Sequence, residues 1–177
     1  MTAHRVLLLL LCVAVSGCST AQKPTQSPVP LVKKLSIVGT KASVMIPEGW
    51  PEAKGAPGIT TITLQDKGVQ LLVITKPKKE IEEKDLKAFS ATTMLALRAK
   101  RKGTMTGGGL EDLQINGRPA RVAVLDITEK QSKGQMAFTF VEGGQDYYII
   151  TGAATKGDYA TDMKMLRAIA ESLKEEG

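Results

Sequence analysis

The chain has 177 residues, 24 Lys and Arg against 18 Asp and Glu, and a formal net charge of +6. One histidine and two cysteines leave little material for the usual zinc and copper sites, for Ser-His-Asp or Cys-His catalysis, or for a disulfide-built scaffold. Aromatic residues make up only 4%, so any core must be largely aliphatic.

The first segment holds one firm positive charge, Arg5, followed by an apolar run from Val6 to Val15. That run is about ten residues, the length of a secretory h-region and about half of a membrane-spanning helix. Ser16, Gly17 and Ser19 end it. The residues Val15-Ser16-Gly17-Cys18 resemble the bacterial lipobox: aliphatic, small, glycine, then cysteine. The resemblance implies diacylglycerylation of the Cys18 thiol, cleavage between Gly17 and Cys18, and acylation of the new amine with a chain such as palmitate. Each buried methylene contributes about 0.8 kcal/mol, so two or three chains hold a protein at a membrane far more firmly than one. Ser19 stands where an aspartate would retain a Gram-negative lipoprotein at the inner membrane, which favours an outer-membrane position facing the periplasm in such a host.

Cys12 and His4 lie inside the expected signal peptide, residues 1–17. The remaining chain then keeps one cysteine, the lipidated one, and no histidine. It carries 23 basic and 18 acidic residues once Arg5 is gone. Residues 18–30 form the lipidated cysteine and a polar, proline-dotted linker expected to be disordered. Residues 31–177 are one domain long.

Within the domain, Lys41 to Ile46 alternates, with Ala42, Val44 and Ile46 on one face, and reads as a half-buried strand. Pro47 and Gly49 turn the chain and place Trp50 just beyond. Glu52 to Gly58 reads as a loop. Ile59 to Leu64 and Val69 to Thr75 are strands joined at Gln65-Asp66-Lys67-Gly68. The period then becomes helical through Leu86, Phe89, Thr93 and Leu97. Acidic residues from Glu80 to Asp85 crowd its start, Arg98 to Lys102 crowd its end, and Gly103 is expected to stop it. After Gly107-Gly108-Gly109 come four strands: Leu110 to Ile115, Arg118 to Glu129, Gln135 to Glu142 and Tyr147 to Ala154. Asn116-Gly117 marks the first hairpin, and Lys130 to Gly134 and Gly143 to Asp146 mark the next two turns. Asp158 is expected to cap a last helix with the stripe Tyr159, Met163, Leu166, Ile169 or Ala170, and Leu173. The order βββαββββα predicts an α+β domain, an antiparallel sheet flanked by two amphipathic helices.

Three segments together resemble the PsbP-like superfamily, and within it the DcrB-like bacterial lipoproteins. They are Ile46-Pro47-Glu48-Gly49-Trp50, Ile115-Asn116-Gly117-Arg118-Pro119-Ala120, and Tyr147-Tyr148 leading to a last helix that ends near Ser172-Leu173-Lys174. The resemblance implies an antiparallel sheet with flanking helices, and roles in binding and assembly rather than a shared reaction.

Candidate surface sites are few. Trp50, the sole tryptophan, is either a binding anchor or a plug at one end of the core, and the turn geometry favours the plug. The basic runs Lys76-Pro77-Lys78-Lys79 and Arg98 to Lys102 could meet anionic lipid or acidic polymer, but solvation is the simpler role. Gly107 to Gly109 lacks the Lys-Ser/Thr of a phosphate loop, and Glu80 to Asp85 and Glu111-Asp112 lack calcium-loop spacing. No base-stacking aromatics lie among the charges, so nucleic acid is not expected. The sequence therefore predicts no catalytic residues, no metal and no cofactor. It predicts a lipid-anchored cell-envelope protein held at the membrane through Cys18, with an envelope protein as partner. The alternative is a carrier of a small apolar ligand.

Overall fold

The computed structural model describes residues 30–64, 68–100, 104–129 and 132–176. Its elements are β1 (Leu31–Ser36), β2 (Ala42–Pro47), β3 (Lys54–Ala56), β4 (Ile59–Leu64), β5 (Val69–Pro77), a 3-10 turn (Lys78–Glu80), α1 (Leu86–Lys100), β6 (Thr104–Gly107), β7 (Glu111–Ile115), β8 (Arg118–Glu129), β9 (Ser132–Glu142), β10 (Asp146–Ala154), α2 (Tyr159–Glu171) and β11 (Lys174–Glu175). Every strand pairing is antiparallel. The large sheet runs β3-β4-β5-β10-β9-β8, and β8 is long enough to hold two short partners along its outer edge. β7 pairs with its first half and β6 with its second. The fold is α+β, with both helices packed on the sheet.

The central strands are apolar on both faces, so both need cover. On one face Tyr148 and Ile150 of β10, Val141 of β9 and Leu71 and Val73 of β5 pack against α2 and a second, small sheet. On the other, Tyr147 and Ile149, Phe138 and Phe140, and Ala123 and Leu125 pack against α1. Phe89 of α1 stacks on Tyr147, with ring centroids 4.5 Å apart, and meets Phe140 edge-on at 6.2 Å. Leu86 and Phe89 of the expected stripe are buried, whereas Thr93 and Leu97 are only partly so. Ser90 and Met94 complete the buried side. Asp85 accepts the Ala88 N–H at 2.7 Å, and Asp158 caps α2 through the N–H groups of Ala160 and Thr161.

β2 falls on the strand expected at Lys41 to Ile46, but it is buried along nearly its whole length, and its partners β1 and β11, with the second sheet they make, were not expected from the sequence. Nor were β3 and β6, which fall in stretches read as a loop or left unassigned. β3 and β11 are three and two residues long, too short to show a period. β1 has a bulge between Leu31 and Lys33 that breaks its alternation. β6 is separated from β7 at Gly107 and Gly108, both with φ near +80°. A Cβ on Gly108 would lie 2.1 Å from the Leu125 side chain, so only glycine lets the chain cross there. The turn residues Gln65 to Lys67, the helix stop at Gly103 with Arg101 and Lys102, and Lys130 lie outside the described residues. Ser132, expected in a turn, already belongs to β9.

A partly buried polar latch ties the two sheets together. The Glu175 carboxylate of β11 accepts the Tyr148 hydroxyl at 2.9 Å and the Gly144 N–H at 2.9 Å, and pairs with Arg118 at 2.7 Å. Asn116, at φ +50° in the β7–β8 turn, donates to the Leu173 carbonyl at 2.7 Å, so the same hairpin also grips the end of α2. Burial alone would push the Glu175 carboxyl up, but the Gly144 N–H, the Tyr148 hydroxyl and Arg118 together hold it below the ordinary value. Burial pushes the Tyr148 hydroxyl up, and the bond to Glu175 adds to that shift. Asp146, beside this network, is pushed up by burial and then by Glu175 and Glu80.

The two carboxylates therefore have opposite pH signatures. Glu175 stabilises the fold above its unfolded-state value, and that contribution is lost as pH falls through its lower folded-state value. Glu175→Ala is expected to cost about 2 kcal/mol at pH 7, with the difference from the parent shrinking in strong acid, measured by urea unfolding across pH. Asp146 has the reverse sign: its stabilising effect is lost as pH rises through its raised folded-state value. Asp146→Asn should raise the melting temperature at pH 7 and leave it unchanged at low pH.

Candidate binding surface

Val15, Ser16, Gly17 and Cys18 lie outside the described residues. Trp50 is 7% exposed and belongs to the core cluster with Leu35, Ile46 and Tyr148. Its backbone carbonyl accepts from Lys33 at 3.4 Å, so the β2 end is held there by main chain and ring together.

The basic runs are partly absorbed by the fold. Lys78 pairs with Glu142 at 2.8 Å and sits 5.2 Å from the centre of the Tyr147 ring. Arg98 donates to the Gly107 carbonyl at 2.7 Å, closing the end of α1 onto β6. Lys76 and Lys100 are exposed and have no partner among the described residues, and Lys79 is exposed and acts electrostatically on Asp146.

A cleft of about 300 Å³ opens between the start of α1 and the β7–β8 hairpin, with Arg121 at its base. Arg121 is almost wholly buried. It donates from Nε to Asp112 at 2.6 Å, from Nη1 to Ser90 at 2.9 Å and to the Lys87 carbonyl at 3.3 Å, and from Nη2 to the Leu110 carbonyl at 3.4 Å. These bonds seat α1 on β8. They also explain why a serine occupies the buried side of the helix, which the apolar stripe did not foretell. A second cleft at the start of α2 is lined by Gln135, Asp158 and Tyr159. Asp158 is the helix cap and the Tyr159 hydroxyl donates to the Lys133 carbonyl at 3.0 Å. In both clefts the named polar groups serve capping and ion pairing.

The surface that stands out is instead a stretch of sheet. The register places Ile59 and Thr61 of β4 beside Ile74 and Leu72 of β5, all on the α1 side. Coverage by α1 fades strand by strand. Ile149 and Thr151 of β10 are 5% and 7% exposed, Leu72 and Ile74 are half-buried, and Ile59 is 45% exposed. On the opposite face of the same strands, Ile62, Val69, Leu71 and Val73 are at most 2% exposed. Lys54 of β3, paired with Thr61, and Lys76 of β5, paired with Tyr147, point the same way as the open strip and are exposed. The sequence carried one signal for this: Leu71-Leu72-Val73-Ile74 is apolar on both faces, so the strand needs cover on both.

No known family profile and no curated protein matches the sequence. Solved structures do match. A Pseudomonas aeruginosa protein of unknown function aligns with a TM-score of 0.53 at 14% identity, over 84% of this chain and 99% of its own. PsbP from the cyanobacterium Synechocystis aligns with a TM-score of 0.57 at 12% identity, over 82% of this chain and 93% of its own. LpqN of Mycobacterium tuberculosis, described as involved in cell envelope biogenesis, aligns with a TM-score of 0.53 at 12% identity, over 75% of this chain and 81% of its own. At these identities the likeness is one of fold, and the fold of this chain is PsbP-like.

Proposed function

We propose that this chain is a lipid-anchored protein of the bacterial cell envelope whose domain binds another envelope component without catalysing a reaction. The observation that carries the binding role is the open apolar strip of β4 and β5, left uncovered while the other face of the same strands is sealed. Surface of that kind is retained where a partner covers it. The anchor rests on Val15-Ser16-Gly17-Cys18 and the polar linker after it. No helix among the described residues is long and apolar enough to cross a membrane. The neighbour LpqN, described as taking part in cell envelope biogenesis, supports an envelope setting. Ser19 favours the outer membrane, facing the periplasm, where the host has one.

The anchor is tested by Cys18→Ser. The variant should lose incorporation of labelled palmitate and accumulate as unprocessed precursor; a variant that matures normally would show that an ordinary signal peptidase acts instead. The binding role is tested by crosslinking in cells followed by mass spectrometry. Reproducible adducts between the domain and an envelope component are expected, and a domain that crosslinks to nothing overturns the reading.

A further inference from the structure

The open strip has the dimensions and chemistry of a seat for one more helix. α1 covers β8, β9 and part of β10. What remains beside it is β5, β4 and the short β3. Strands lie about 4.8 Å apart, so these three span about 10 Å from first to last, which is the diameter of one α-helix. The floor is apolar at Ile59, Leu72 and Ile74, and α1 forms one wall. Lys54 and Lys76 stand on the sheet itself, neither has a partner among the described residues, and no carboxylate shares that face of β3, β4 or β5.

We propose that this slot binds an amphipathic helix of a partner protein, packed beside α1 with its apolar stripe on Ile59, Leu72 and Ile74 and its acidic flanks at Lys54 and Lys76. The proposal rests on the binding role argued above and names the chemistry of the partner. Three other occupants fit less well. The chain's own residues 19–30 contain Pro24, Pro28 and Pro30 and no acidic residue, so they can form neither the helix nor the ion pairs. A second copy docked face to face would bring the same lysines together. A bilayer is held off because the apolar floor is recessed beside α1, and Leu72 and Ile74 are only half exposed.

The test uses the protein purified in detergent and two labelled synthetic helices of about 16 residues, long enough to span the slot at 1.5 Å per residue. Both carry a Leu/Ile stripe; one has glutamate flanks and the other lysine flanks. Fluorescence anisotropy should show the glutamate helix binding at least about tenfold more tightly, which is about 1.4 kcal/mol. Lys54→Glu with Lys76→Glu should reverse that preference, and Leu72→Glu should weaken both peptides. The lysine pair is exposed, so its reversal reads the slot even if Leu72→Glu perturbs folding. A photocrosslinker at Thr61 should capture the peptide, and one at Lys164 on the outside of α2 should not. Equal affinity for the two helices, or capture at Lys164 alone, overturns the proposal. So does binding to phosphatidylglycerol vesicles, or self-association in sedimentation, that depends on Lys54 and Lys76 while the peptides do not bind. In cells, adducts from Lys164 with none from Thr61 would overturn this slot and leave the binding role intact, whereas no adducts from any position would count against both.

Discussion

The strands at the middle of the large sheet are apolar on both sides, and everything else in the structure answers to that. Tyr147 and Tyr148 are neighbours in sequence, both almost wholly buried, and they belong to different cores. A strand with this pattern cannot sit at the surface of a two-layer protein. It needs cover above and below, and the chain supplies two kinds. One side receives α2 and the three-stranded sheet; the other receives α1 alone. The two covers differ in width, and the narrower one leaves β4 and β5 only partly covered on the α1 side. Among the described residues, the open strip follows from the width of the cover on that side.

The polar contacts in the interior serve the covering elements. Arg121 fixes α1 onto β8 with bonds to Asp112, Ser90 and two carbonyls. Glu175 fixes the small sheet onto the ends of β8, β9 and β10. A buried charge left without its partner is costly, so each group enforces one placement of the element it holds. Ionisable residues in a domain of this kind need not indicate a reaction. Their geometry here is that of fasteners.

The local parts of the fold were legible in the sequence. Asn116-Gly117 has positive φ at both positions, as its hairpin signal requires. The strands β8, β9 and β10 and the cap at Asp158 also stand where the pattern put them. The parts without a local signal are short or non-local. β3 and β11 are too brief to have a period, and β11 exists only because β2 is there to pair with. Ser90 looked like an ordinary polar helix residue until Arg121, 31 positions away, gave it a partner. The open strip was hidden for the same reason: the sequence shows that Leu72 and Ile74 are apolar, but the width of α1's cover depends on where the helix lands. The lipid anchor proposed at Cys18 is the opposite case: it rests on a four-residue motif alone, one that precedes the described part of the chain.

The pairing of β5 with β10 has a further consequence. It joins residues 69–77 to residues 146–154, whereas β8, β9 and β10 are linked by tight hairpins. Bringing distant segments together must overcome loop-closure entropy before any contact rewards it, so local hairpins form early and this seam forms late. The sheet is thus assembled from two meanders, 54–77 and 111–154, that close against each other across a single strand pair. Until they close, Val69, Leu71 and Val73 face water along an unpaired edge of β5. An unpaired strand edge of this kind is where a partly folded chain can associate with others.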